Sequence, residues 1–163
     1  MFYVYVLHSE SDAGLYIGFS SDPRRRLREH QAGLAPAIAT PARAAYYRWM
    51  FFCAYTLMPA YRSWFYADEP AGDAHAALVR ERARIQLEAA WQQLADHLQR
   101  GGPYMLGERL SAVDFVATML MRWSRNMPKP ADRWSALGAL AQRVKERPSW
   151  KRLYAIESLS EWS

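Results

Sequence analysis

Four arginines within five residues, Arg24, Arg25, Arg26 and Arg28, have the density to meet phosphate oxygens, and equally the composition of a solvated helix face. Ser111 and Asp114 stand three apart, so the hydroxyl can accept the Asp114 backbone N–H while the carboxylate reaches back to the N–H of Ser111. Flanked by Leu110 and Phe115, this pattern reads as a capping box with a hydrophobic staple, and its chemistry is folding rather than catalysis. Cys53 is the single thiol. No basic residue within one helical turn lowers its pKa, so it reads as a small buried hydrophobe and not as a nucleophile. His8, His30, His75 and His97 lack metal-ligand spacing with one another, and no metal site is expected from them.

These groups must be positioned by a largely helical chain. Phe2–Leu7 and Leu15–Phe19 are rich in aromatic and β-branched residues and read as two strands around the turn-forming Ser9–Gly14. Asp22-Pro23 supplies an N-cap and a first-turn proline for a helix over Pro23–Gln31, which stops near Gly33. Leu34–Thr40 is a connector. A long helix is predicted from Pro41 to about Tyr66, kinked or interrupted at Pro59. His75 to about Gln99 carries an apolar stripe of Leu78, Ile85, Leu87, Ala90, Trp91, Leu94 and Leu98. Further helices are predicted over Ala112–Arg125, Trp134–Arg147 and Trp150–Ile156. The aromatic run from Tyr46 to Tyr66 is too dense for one buried stripe and implies surface that something covers.

Hydrophobic residues make up 51% and aromatic residues 14% of the 163, enough for a packed core. The net charge of +5 permits an acidic partner without requiring one. Residues 1–31 carry four arginines against four acids, so the excess sits wholly in the helical part, and nucleic acid is not expected as a partner on net charge. A single cysteine and the lack of a long apolar run or signal-like segment point to a cytoplasmic protein with no membrane contact.

The run Gly102-Pro103-Tyr104-Met105-Leu106-Gly107-Glu108-Arg109-Leu110-Ser111-Ala112-Val113-Asp114-Phe115 is similar to the segment entering the sixth helix of glutathione S-transferases. Ala44-Tyr46-Tyr47-Arg48-Trp49 and Arg147-Pro148-Ser149-Trp150 resemble the first and late helices of that family's C-terminal domain. The resemblance implies a helical bundle over residues 34–163. It also implies a dimer and an apolar ligand cleft lined from Tyr46, Trp49, Met50, Cys53 and Trp123. In that family glutathione and the group activating its thiol belong to a thioredoxin-like domain, and no such domain is expected here.

Tyr3-Val4-Tyr5, Leu15-Tyr16-Ile17-Gly18 and Arg26-Leu27-Arg28-Glu29-His30 resemble the opening of GIY-YIG nucleases. That resemblance assigns Tyr5 and Tyr16 to the two tyrosine positions and Arg26 to the arginine of the following helix. There a tyrosine hydroxyl would orient or deprotonate water and an arginine would hold phosphate oxygens. The metal-binding carboxylate of the family falls on a later helix, where Glu81 is a weak candidate. The resemblance reaches about Ala32-Gly33, giving a truncated segment over residues 1–33.

Together these readings give a mainly α protein with a small N-terminal β-hairpin plus helix, expected to be a non-catalytic, homodimeric module for an apolar small molecule or a protein. No cofactor is expected. The alternatives are glutathione transferase activity with the site completed in trans, and metal-dependent nicking of DNA through Tyr5, Tyr16 and Arg26. The hairpin and its helix are expected to pack on the face that a glutathione domain would cover, or to pair between chains.

Overall fold

A computed structural model describes residues 3–8, 15–20, 22, 24–25, 28, 41–70 and 72–162. Arg26, the Ser9–Gly14 turn, the Leu34–Thr40 connector and most of the expected Pro23–Gln31 helix lie outside the described residues. The chain divides into two compact units, Met1–Ala45 and Tyr46–Ser163.

In the first unit β1 (Tyr3–His8) and β2 (Leu15–Ser20) pair antiparallel. Tyr5 lies opposite Gly18 and Tyr16 opposite Leu7. Because positions alternate along a strand and direct partners share a side, positions 5 and 16 fall on the same side of the ladder. The Asp22 carboxylate accepts the Arg25 N–H at 2.9 Å, the bond an N-cap makes, and Arg24, Arg25 and Arg28 are helical and exposed.

The second unit is mainly helical. Helix α1 (Pro41–Phe52), whose residues from Tyr46 onward belong to this unit, passes without a break into a π-helical segment, Cys53–Leu57, and then into α2 (Met58–Phe65). Pro59 is the cause. It has no N–H to continue the ladder, so the turn ahead of it widens, and the Met58 N–H bonds back to the Cys53 carbonyl. The widening also serves packing. Trp49, Cys53, Leu57 and Tyr61 recur every four residues and are all buried. On a pure α-helix a four-residue repeat drifts by about 40° per step, and a turn with more residues returns it to the core face.

Helix α3 (Ala76–Gly101) packs on α2. It buries Leu87, Ala90, Trp91, Leu94 and Leu98, whereas Leu78 and Ile85 are 71% and 49% exposed. This corrects the expected stripe. At about 100° per residue, Leu78 and Ile85 point roughly 160–180° away from Leu87, onto the opposite face. Helix α4 (Ala112–Trp123) meets the π-helical segment, and α5 (Ser135–Lys145) packs on both α3 and α4. Helix α6 (Pro148–Ile156) closes the bundle against α5 and buries Trp150 and Tyr154. Gly138 lets α5 approach the Ala131–Arg133 turn, since a Cβ there would lie 2.7 Å from the Asp132 carbonyl oxygen.

The start of α4 holds the loop before it. Asp114 is fully buried, and its carboxylate takes the Met105 N–H at 2.7 Å, the Ser111 N–H at 2.7 Å and the Ser111 hydroxyl at 2.8 Å. The capping box is complete on both sides. The Met105 carbonyl in turn accepts from His97 Nε2 at 2.8 Å, so the end of α3, the loop and α4 are tied at one residue. Asp114→Asn, which sets an amide NH₂ against one of three buried donors, is expected to cost about 3 kcal/mol in urea unfolding. Ser111→Ala is expected to cost about 1 kcal/mol, the loss of a cap alone.

Candidate functional site

Helix α1 and the segment after it carry two aromatic faces. The inner one centres on Tyr61, which has no exposed surface. Its ring meets Trp123 edge to face at 5.6 Å and stacks on Phe65 at 5.9 Å, and its hydroxyl oxygen accepts the Trp91 indole N–H at 3.3 Å. Burial raises the Tyr61 pKa well above that of a free phenol, while hydrogen bonds with Trp91 and Ser124 pull in the opposite sense. This tyrosine is a neutral structural group.

The outer face is a ladder of rings four residues apart. Tyr47 stacks on Phe51 at 6.1 Å and Phe51 meets Tyr55 at 5.8 Å. Exposure climbs along it, 36%, 57% and 75%, and Met58 continues the apolar strip. Phe65 and Tyr66 at the end of α2, with Leu78 and Ile85 on α3, add further exposed apolar side chains.

Of the five residues expected to line an apolar ligand cleft, the structure puts Trp49 and Cys53 in the core, 5% and 1% exposed. Trp49 lies against His97, ring centroids 4.4 Å apart, and against Phe52. Tyr46, Met50 and Trp123 are half-buried and pack on the core. The five therefore do not form one open site; an open aromatic strip sits at positions 47, 51 and 55 instead. A second periodicity, offset by two residues from 49-53-57, was the signal in the sequence.

Glu81 is exposed on α3 and binds Arg84 at 2.6 Å, while Arg84 also binds Glu88 at 2.5 Å. The Arg84 hydrogen bonds hold the Glu81 carboxyl below its ordinary range. Among the described residues no group of three or more His, Cys, Asp or Glu side chains is placed to hold a metal ion. No described helix is long and apolar enough to cross a membrane.

A concavity of about 520 Å³ lies beside α5, lined by Arg125, Asp132, Arg133, Gln142, Lys145 and Trp162 among others. Arg125 Nε donates to Glu161 at 2.9 Å, and the Trp162 indole donates to Asp132 at 3.2 Å. Nothing in the motif reading singled out this cleft. Its signal was the charge of the C-terminal quarter.

Two family models match. The glutathione S-transferase C-terminal domain covers residues 56–154, and the GIY-YIG catalytic domain covers residues 1–97. The chain belongs to both families. The GIY-YIG match runs well past Gly33, where the motifs alone stop, and overlaps the transferase match across α2 and most of α3. Glu81 falls inside that overlap.

Solved glutathione S-transferases share the fold. BphK, a bacterial enzyme solved as a ternary complex, is 24% identical, covering 96% of this chain and 75% of its own, with a TM-score of 0.64. A glutathione transferase homologue from Sulfitobacter, solved with bound glutathione, is 19% identical, with 94% and 82% covered and a TM-score of 0.67. The transferase from Xylella fastidiosa is 22% identical, with 90% and 75% covered and a TM-score of 0.65. No curated protein sequence matches the chain.

Cys53 lies on the same helical stretch and is fully buried. Burial pushes its thiol from 9.0 up to about 11, which leaves about a hundredfold less thiolate at any pH below 9. The folded state therefore gains from Cys53 at neutral pH and loses that gain as pH rises from 9 through 11. Ellman's reagent at pH 8 is expected to leave Cys53 untouched in the native protein and to titrate one thiol per chain after urea unfolding.

Proposed function

We propose that this chain is a transferase-derived binding module whose exposed aromatic strip associates with a second copy of the chain, and that the helical domain works without a glutathione site of its own. The observation that carries this reading is the ladder Tyr47–Phe51–Tyr55, rising to 75% exposure on a fold otherwise well packed. Large exposed apolar patches mark interaction surfaces, because leaving them in water forfeits about 25 cal/mol per Å². Behind the strip the thiol of Cys53 is held protonated and the Tyr61 phenol is neutral and hydrogen-bonded. Within these 163 residues the glutathione-activating chemistry has no assigned group, so activity would need a site completed from outside them.

Sedimentation equilibrium is expected to give a dimer, and Tyr55→Asp a monomer with unchanged helicity, a shift of at least tenfold in dissociation constant. A wild-type monomer at the highest concentrations reached would overturn the reading. Glutathione titrated into the chain is expected to give no binding heat at millimolar concentration, and turnover of an aromatic electrophile would instead favour a transferase site completed in trans.

A second reading follows from the GIY-YIG match over residues 1–97 and from the register that sets positions 5 and 16 on one side of the β-ladder. In that reading Tyr5 and Tyr16 would handle the attacking water, Arg26 would hold phosphate, and Glu81 would bind the metal. Glu81 would first have to leave Arg84. Plasmid nicking dependent on a divalent cation and lost in both Arg26→Ala and Glu81→Ala would support it; nicking that persists in Arg26→Ala would sink it.

A further inference from the structure

The segment that leaves α6 is seated against the cleft beside α5. Helix α6 ends in a Schellman turn, in which the Leu159 N–H returns to the Tyr154 carbonyl at 2.9 Å across Ser158, whose φ of 51° is left-handed. Leu159 packs on the core, and the two side chains after Ser160 are each read by a different group. The Glu161 carboxylate takes the Arg125 Nε at 2.9 Å. The Trp162 indole N–H donates to the Asp132 carboxylate at 3.2 Å, its ring lies 4.7 Å from the Lys145 ammonium, and it meets Trp150 edge to face at 6.4 Å. The backbone is held as well, for the Tyr154 hydroxyl sits 3.3 Å from both the Glu161 and the Trp162 carbonyl.

We infer that this cleft is a docking site for an extended peptide segment in which an acidic residue precedes a tryptophan, occupied in part by the chain's own Glu161 and Trp162. The contacts are those of peptide recognition: a cation for the carboxylate, a carboxylate for the indole N–H, a cation on the ring and a hydroxyl for the main chain. The two residues do not fill the cleft. A concavity of about 520 Å³ remains with Trp162 already forming one of its walls, and Arg133 and Gln142 border the rest, so a longer segment has room. The seating is also exchangeable. The Arg125 and Glu161 side chains are 30% and 65% exposed, and ion pairs so wetted hold weakly. Trp162 has a φ of 62°, left-handed like Ser158, a conformation that a bulky residue adopts at a cost. A segment from another molecule, whose approach is not fixed by the turn after α6, can make the same contacts without that cost. The chain's own residues then compete in cis at an effective concentration in the millimolar range. This inference is independent of the proposed self-association.

The test is fluorescence anisotropy of a labelled, end-amidated peptide of residues 158–163, titrated with the whole chain. The pair Glu161→Ala with Trp162→Ala empties the seat, and this variant is expected to bind the peptide at about 100 µM, the strength of a small contact. Wild type is expected to bind it about tenfold more weakly, because a millimolar competitor in cis stands against such an affinity. Trp162→Phe, which keeps a ring beside Lys145 and loses the indole N–H, is expected to fall between the two. Adding Arg125→Glu to the emptied chain is expected to weaken binding at least tenfold, whereas Arg82→Glu, at an exposed position of α3, changes it less than twofold. A peptide carrying Trp162→Ala is expected to lose tenfold or more. Thermal melts check folding, and should the emptied chain melt early, the comparison of wild type with Trp162→Phe carries the test. No binding by either released variant, equal binding by wild type and the released variants, or equal losses from Arg125→Glu and Arg82→Glu would each overturn the inference.

Discussion

The buried carboxylate of Asp114 is the constraint on which the helical unit depends. A charge with no solvent must find its donors inside the protein, and here it finds three, from the Met105 backbone and from both hydrogen-bonding groups of Ser111. Those bonds decide where α4 begins and where the loop after α3 must lie. His97 then fastens the same loop residue from the other side. With α4 so placed, α5 packs into the angle between α3 and α4, and the remaining helix follows.

A second constraint is Pro59. By removing one backbone donor it turns a straight helix into one with a π-helical segment, and this keeps Trp49, Cys53, Leu57 and Tyr61 on one buried line. The same geometry sets Tyr47, Phe51 and Tyr55 on the outside. Core and candidate interface are thus two faces of one helical stretch, and a change in its winding would disturb both.

Part of this was legible in the residues. Ser111 and Asp114 announced the cap because the capping box is a local pattern, complete within four residues. Pro59 announced an interruption for the same reason, although whether it kinks the helix or widens it depends on what lies against it. The expected stripe on α3 shows the boundary. Leu87 through Leu98 follow the helical period and are buried, while Leu78 and Ile85, equally apolar, fall on the far face. The five expected ligand residues were split likewise, two into the core and three onto its margin.

The sequence by itself determined the helices, their caps, the fate of Cys53 as a buried hydrophobe and the resemblance to two families, because each depends on neighbours a few residues away. Tertiary structure decided which aromatic residues face outward and which cations share a cleft. Arg125, Arg133 and Lys145 are separated by eight and twelve residues, and no periodicity joins them. Only the packing of α5 and the return of the C-terminal segment, which brings Trp162 to Asp132 and Glu161 to Arg125, places them on one wall.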